Sequence, residues 1–248
     1  MTILQDTPAR HFLESLGTLF PRPRAILSVS AHWETESPTV SNPPVNETIY
    51  DFYGFPQALY NLTYTPPVAH DLAHHVKTLL EEAGLPCRED PQQGLDHGSW
   101  VPLKLAYPQA DIPVIQLSVQ PHLGTRHHLA MGAALHHLRA EDVLIIGSGT
   151  FTHDLRRFRV GRPGLDAPQT QDVADFSDWM DAKLMAGDLE ALADYRRLAP
   201  YGAEEHPTEE HLLPLYVALG AAGKGITAQK LHSSVEYGFM RMDAYAFT

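Results

Sequence analysis

The sequence predicts a single α/β domain, with a mainly parallel central sheet and helices on both faces. Three observations carry that reading. Short β-rich apolar runs, AILSVS (Ala25 to Ser30), Ile112 to Val119 and VLIIG (Val143 to Gly147), alternate with longer stretches whose apolar residues recur at helical spacing. The 248 residues and a hydrophobic share of 44% suit one large globular domain. No repeat, low-complexity tract or linker divides residues 1–248.

The elements follow in order. From Thr7 to Leu19, Phe12, Leu13, Leu16 and Leu19 mark an amphipathic helix that Pro21 and Pro23 stop, and the first strand follows at once. Glu34 to Pro67 is a long polar stretch holding the aromatic cluster Tyr50-Asp51-Phe52-Tyr53-Gly54-Phe55-Pro56. A loop of that length is usually functional, so short strands and a wall of the site are expected there. Val68 to Ala83 is a helix stopped by Gly84, with a short strand near Pro86 to Glu89. Ser99 to Tyr107 reads as a helix, Ile112 to Val119 as a buried strand and Arg126 to Leu138 as a helix. After the strand Val143 to Gly147 come helices over Thr170 to Ala186 and Leu189 to Leu198. Another opens at His211 and runs to Leu219, and Val235 to Phe247 supplies a final strand or two.

Composition narrows the partners. The formal charge of −12 repels a phosphate backbone. The densest basic stretch, Arg156-Arg157-Phe158-Arg159 with Arg162 beyond, reads as a solvated loop or an anion-binding rim rather than a nucleic-acid patch. No segment approaches the ~18 unbroken apolar residues of a membrane span. The first residues lack the basic and apolar regions of a secretory signal. One cysteine, Cys87, excludes an internal disulfide and a thiolate-rich metal site. A cytoplasmic protein with neither nucleic-acid nor membrane partners is expected.

The chemistry lies in the histidines, of which there are fifteen. His74-His75, His127-His128 and His136-His137 are adjacent pairs in predicted helices, about 100° apart on the helix, and cannot chelate one ion together. His70 and His74 have i,i+4 spacing, but no third ligand shares their face, so they read as surface residues. Four others stand in marked contexts. His32 follows the first strand and precedes Trp33, and His153 follows the turn Gly147-Ser148-Gly149-Thr150. His97 sits in Asp96-His97-Gly98, and His211 follows Glu209-Glu210. Each alone has a bland explanation: a strand-end histidine bonding a carbonyl, a loop-ordering histidine, an Asx-type turn, a helix-capping histidine. The Gly-Ser-Gly turn suits close approach of backbone to a ligand. It lacks the pattern and lysine of a phosphate-binding loop. Together the four match a metal site at the carboxyl edge of a parallel sheet, where imidazoles suit Fe, Zn, Cu or Ni.

Several strings carry a family resemblance: Ser30-Ala31-His32-Trp33-Glu34-Thr35, Asp51-Phe52-Tyr53-Gly54-Phe55-Pro56 and Leu95-Asp96-His97-Gly98-Ser99-Trp100-Val101-Pro102-Leu103. Gly147-Ser148-Gly149 through His153-Asp154-Leu155 and His206-Pro207-Thr208-Glu209-Glu210-His211 complete the series. Taken in order over essentially the whole chain, they resemble the class III extradiol ring-cleavage dioxygenases, in particular the small single-domain branch of DOPA 4,5-dioxygenases. The resemblance implies a non-haem Fe(II) enzyme that opens a catechol with O2; Zn(II) is an alternative ion in the isolated protein. It implies His32 and His211 as metal ligands, and His153 as a further ligand or as the acid–base residue. His97 would line the substrate and oxygen pocket and share the acid–base role. Asp51, Tyr53 and Trp33 are expected to bind substrate, with Phe52 and Phe55 adding to an aromatic wall or simply packing the loop.

One departure stands out. The family opens with a strand leading into a His-Gly-Ser-Pro-Met-like turn whose histidine is the first ligand, and this chain begins at the position of that methionine. A start codon assigned too far downstream or a truncated chain would explain this. The expectation is a site short of one protein ligand, with His153, a carboxylate such as Asp51, or water filling in, and with weakened metal retention. Two other readings stay open: a zinc-dependent hydrolase on the same scaffold, and a weakly metal-binding inactive form. The residues leave open which catechol is used and the oligomeric state.

Overall fold

The computed structural model describes residues 2–223, 225 and 227–247. Helix α1 (Pro8–Leu19) starts where Thr7 caps it, the hydroxyl accepting from the Arg10 backbone N–H, with proline in the first turn. Strand β1 (Ala25–Glu34) runs four residues past the predicted end, so His32 lies within the strand rather than beyond it. Pairing of Glu34 with Val119 and the Thr35 N–H bond to the Val119 carbonyl extend it. The polar stretch holds β2 (Thr39–Ser41) and a short α2 (Gln57–Tyr60). Then come α3 (His70–Glu82), β3 (Arg88–Asp90), α4 (His97–Ala106), β4 (Val114–Val119), α5 (Gly124–Ala134) and β5 (Val143–Ser148).

The five strands form one sheet in the order β3-β2-β4-β1-β5. β1 pairs in parallel with β4 and with β5, β2 pairs in parallel with β3, and only the β2–β4 contact is antiparallel. The sheet is therefore mostly parallel, as predicted. Its two faces bury separate cores. Ala25, Leu27 and Val29 of β1 join Ile115, Leu117 and Val119 of β4 against helices α3 and α5. Ile26 and Val114, on the alternate positions, pack with Trp100, Val101 and Leu103 of α4 and with Leu16 of α1. Burial on both faces explains why these strands read as unbroken apolar runs.

The later helices are α6 (Arg157–Val160), α7 (Gln171–Ala186), α8 (Leu189–Ala193), α9 (Tyr195–Leu198), α10 (Gly202–Glu205) and α11 (Leu213–Ala222). The chain closes with β6 (Ala228–His232), β7 (Val235–Glu236), β8 (Met240–Arg241) and β9 (Ala244–Phe247), paired as β6–β9 and β7–β8. β6 was not foreseen.

Three predicted helices change shape. The stretch Arg126–Leu138 ends at Ala134 and continues as a 3-10 turn over His136–Glu141. Leu189–Leu198 splits into α8 and α9 at Asp194. His211 does not open a helix: α11 begins two residues later, where Pro214 falls in the first turn and its missing N–H costs nothing. No helix among the described residues is long and apolar enough to cross a membrane.

Candidate metal centre

The four marked histidines arrive from four segments. His32 comes from β1, His97 is the first residue of α4, His153 lies on the loop after β5, and His211 lies in the turn before α11. The structure brings all four together. The ring centroids of His32 and His97 are 3.9 Å apart, those of His32 and His211 4.9 Å, and those of His153 and His211 3.3 Å with the rings stacked. Potential ligand atoms of His32, Asp51 and His97 lie within 4.8 Å of one another, as do those of His153, Glu210 and His211.

Local chemistry sets each ring. Asp96 caps α4, its carboxylate accepting from the Ser99 N–H, and so starts the helix at His97 rather than at the predicted Ser99. The same buried carboxylate accepts from the Ser30 hydroxyl and the Gln116 amide, tying α4 to β1 and β4 directly under the site. Close approach of α4 to β1 needs Gly98, where an added Cβ would lie 2.3 Å from Ser30 Oγ and 3.1 Å from the His32 ring. His97 Nδ1 donates to Asp51 Oδ2 at 2.8 Å and His211 Nδ1 donates to Glu210 Oε1 at 3.0 Å. In both rings the Nε2 lone pair is thereby left for a ligand. Carboxylates orienting histidines in this way are the usual outer support of a metal site.

Electrostatics point the same way. Burial, with the neighbouring His97 and His211, pushes the His32 imidazole down to about 3. Burial and His211 push His153 down to about 3 as well. Both rings are neutral at pH 7, and neither makes a ring hydrogen bond within hydrogen-bonding reach among the described residues. Burial also works on Glu210, but bonds from His211 and Thr208 outweigh it and hold its carboxyl down to about 2. Neutral imidazoles with free lone pairs beside ionised carboxylates are the donor set a divalent transition metal takes. The residues fit such an ion.

The other predicted residues fall out unequally. Asp51 stands at the cluster, bonding His97 and 3.7 Å from His32 Nδ1. Of the alternatives for the missing ligand, Asp51 groups with His32 and His97, whereas His153 groups with Glu210 and His211. Tyr53 is 91% exposed on the loop beside it. Trp33 is buried, and because side chains alternate along β1, its indole turns away from the His32 imidazole. Phe52 is the aromatic that packs edge-on against His97, at 5.5 Å between centroids. The Gly147-Ser148-Gly149 turn lets the protein's own backbone approach closely. A Cβ on Gly149 would lie 2.0 Å from the His211 carbonyl oxygen, and one on Gly147 2.4 Å from that of Pro214. The glycines let the His211 turn lie against the end of β5.

His70 and His74 are surface residues bonded to Asn42 and Glu89. Sequence reasoning missed Glu210 as the partner of His211, although its adjacency was a signal. It also missed His206, fully buried behind the site with Nε2 donating to the Phe151 carbonyl. Nothing in its string distinguishes a structural from a ligating histidine.

Two cavities adjoin the cluster. The larger, about 530 Å³, runs along the outer edge of β5 between α11 and β9, is mainly apolar, and meets only His211 of the four histidines. The smaller, about 230 Å³, opens directly on His153 and Glu210. Of the four histidines, only His153 lines the smaller one, and His32, His97 and Asp51 line neither.

Known proteins share this arrangement of chain and fold. A family model described as the catalytic LigB subunit of aromatic ring-opening dioxygenase matches residues 8–248. A Beta vulgaris protein named 4,5-DOPA dioxygenase extradiol is 43% identical over 251 residues, covering 100% of this chain and 92% of that protein. An Escherichia coli K12 protein of the same name is 36% identical over 227 residues, covering 89% and 81%. The crystal structure of an uncharacterized Escherichia coli K12 protein superposes with a TM-score of 0.78 at 30% identity, covering 97% of this chain and 92% of that one. The chain belongs to the LigB family and is an extradiol aromatic ring-opening dioxygenase.

Proposed function

We propose that the enzyme opens the ring of a DOPA-like catechol with dioxygen, using Fe(II) held by His32, His211 and His153. The clustering of four imidazoles from separate segments, in ring-to-ring contact from His97 through His32 and His211 to His153, carries this reading. Fe(II) held there would supply positive charge to acidify catechol hydroxyls and redox chemistry that Zn(II) lacks. Zn(II) fits the same nitrogens in an isolated preparation.

His97 takes the catechol proton on Nε2. Its Nδ1–H bond to Asp51 keeps that lone pair free and stabilises the imidazolium that forms. Burial and His211 hold His153 neutral down to about 3, which suits it to a ligand's role. Asp51 bounds one side of the pocket, Phe52, edge-on to His97, limits where a planar ring lies, and the exposed Tyr53 stands on the adjoining loop to meet the substrate. The proposal places the enzyme in the cytoplasm, without nucleic-acid or membrane partners. Its single buried, unpaired cysteine and its charge of −12 support this.

The test is anaerobic loading with Fe(II) followed by DOPA and air. One O2 consumed per yellow semialdehyde formed is expected, and none with Zn(II). Catechol turnover without oxygen uptake would contradict the proposal.

A further inference from the structure

The basic stretch after His153 divides into two kinds of arginine. Arg157 is committed to the fold: its guanidinium bonds Asp172 at 2.7 Å and the buried Glu205 at 2.6 Å, and it lies 3.5 Å from Asp154. Arg156 and Arg159 are different. Arg156 bonds Asp154 through Nε alone, at 2.6 Å, which leaves its two terminal nitrogens without a partner among the described residues. The Arg159 guanidinium has no hydrogen-bond or ion-pair partner among them. Both line the 230 Å³ cavity whose other wall is His153, Thr208 and Glu210. His153 belongs both to this cavity and, stacked on His211, to the histidine cluster, so a catechol held at that ring has the cavity open to its side chain.

We propose that this cavity receives the side chain of the substrate, and that Arg159, seconded by Arg156, selects catechols whose side chain ends in a carboxylate. The inference rests on the catechol reading of the site given above. Charge explains why such a device is needed: a chain of net charge −12 repels an anionic substrate at long range, so retention requires a local cation. Asp154 and Glu210 also line the cavity, and Arg156 bonds Asp154 at 2.6 Å, so Arg159 is the lining cation left whole for a ligand. Guanidinium groups with unpaired parallel donors match a carboxylate in two-point fashion.

The test compares two catechols with the same ring and side-chain length, one ending in a carboxylate and one in the neutral primary amide. Binding is measured by calorimetry without oxygen, and turnover separately in air with Fe(II). The wild type is expected to bind the acid about tenfold or more tightly than the amide, as for a hydrogen-bonded charge pair. Arg159→Ala erases that ratio and Arg159→Lys restores part of it. Arg156→Gln reduces it less. Equal binding of acid and amide by the wild type, or a ratio unchanged in Arg159→Ala with Arg156→Gln, overturns the inference. Acid preference by calorimetry with no ring opening of either compound leaves the inference standing and defeats the dioxygenase reading instead.

Discussion

Asp51 grips His97 at two points: Oδ2 accepts from the ring Nδ1–H at 2.8 Å and Oδ1 from the backbone N–H at 2.9 Å. One carboxylate thereby fixes both the position of the first residue of α4 and the tautomer of its imidazole. Burial alone would raise the Asp51 carboxyl, but the bonds from His97 outweigh it and hold it below the usual range. With its Nδ1–H committed to Asp51, the ring presents Nε2 as its acceptor.

Replacing that charge isolates its effect. In Asp51→Asn the amide can still bond the ring but no longer stabilises the imidazolium. We expect kcat to fall by roughly 10²-fold, within the span of general acid–base contributions, with iron content little changed. Steady-state kinetics and metal analysis on one preparation check both parts. An unaltered kcat would remove His97 from the proton transfer.

The depressed imidazoles predict how the metal-free protein responds to acid. Unfolded histidines take a proton near pH 6.5, whereas His32 and His153 in the fold resist until about 3. Between those values the unfolded chain binds more protons, so stability is greatest above pH 6.5 and declines as pH falls from there towards 3. Glu205 acts in the opposite sense. Burial pushes its carboxyl up to about 7 against the pull of Arg157, so its native form gains protons as pH falls from 7 to 4.5. Glu205→Gln should therefore steepen the acid loss. Urea midpoints at pH 7.5 and 5, with imidazole NMR titration, test this. Midpoints near 6.5 for both rings would refute it.

A steric prediction concerns Gly149. A Cβ added in place of a Cα hydrogen would sit 2.0 Å from the His211 carbonyl oxygen. Gly149→Ala should cost about 1–3 kcal/mol, as overpacking does, and displace the His211 turn so that iron is lost too. Gly161→Ala is the control, because nothing lies within 4 Å of a Cβ added there. Denaturation midpoints and iron content of the two variants should differ clearly. Equal values would show that the turn yields.

The parts of the fold that were legible are those where one physical signal dominates. β1, β4 and β5 read as strands because apolar residues on consecutive positions serve both faces of the sheet. α1 and α3 read as helices from their periodicity and their stops. α5 ended early, and α8 and α9 parted at Asp194, because tertiary packing decides such breaks. Gly132 of α5 meets the Val217 carbonyl of α11 at 2.1 Å from a would-be Cβ, a contact invisible along the chain. At the site, the four histidines were legible from their contexts. The pairing of His211 with Glu210, and the burial of Trp33 against the exposure of Tyr53, depend on how loops turn. The arginine stretch was read as one unit, yet Arg157 answers to Glu205 and Asp172, which lie 48 and 15 residues away in the chain.

Anomalous diffraction at the iron edge, from crystals grown with Fe(II), tests the central claim most directly. A single anomalous peak within bonding distance of imidazole nitrogens of His32, His211 and His153, with His97 and Asp51 beside it, is the predicted result. A strong peak elsewhere in the molecule, or a protein that opens catechols with no iron at these imidazoles, would contradict it.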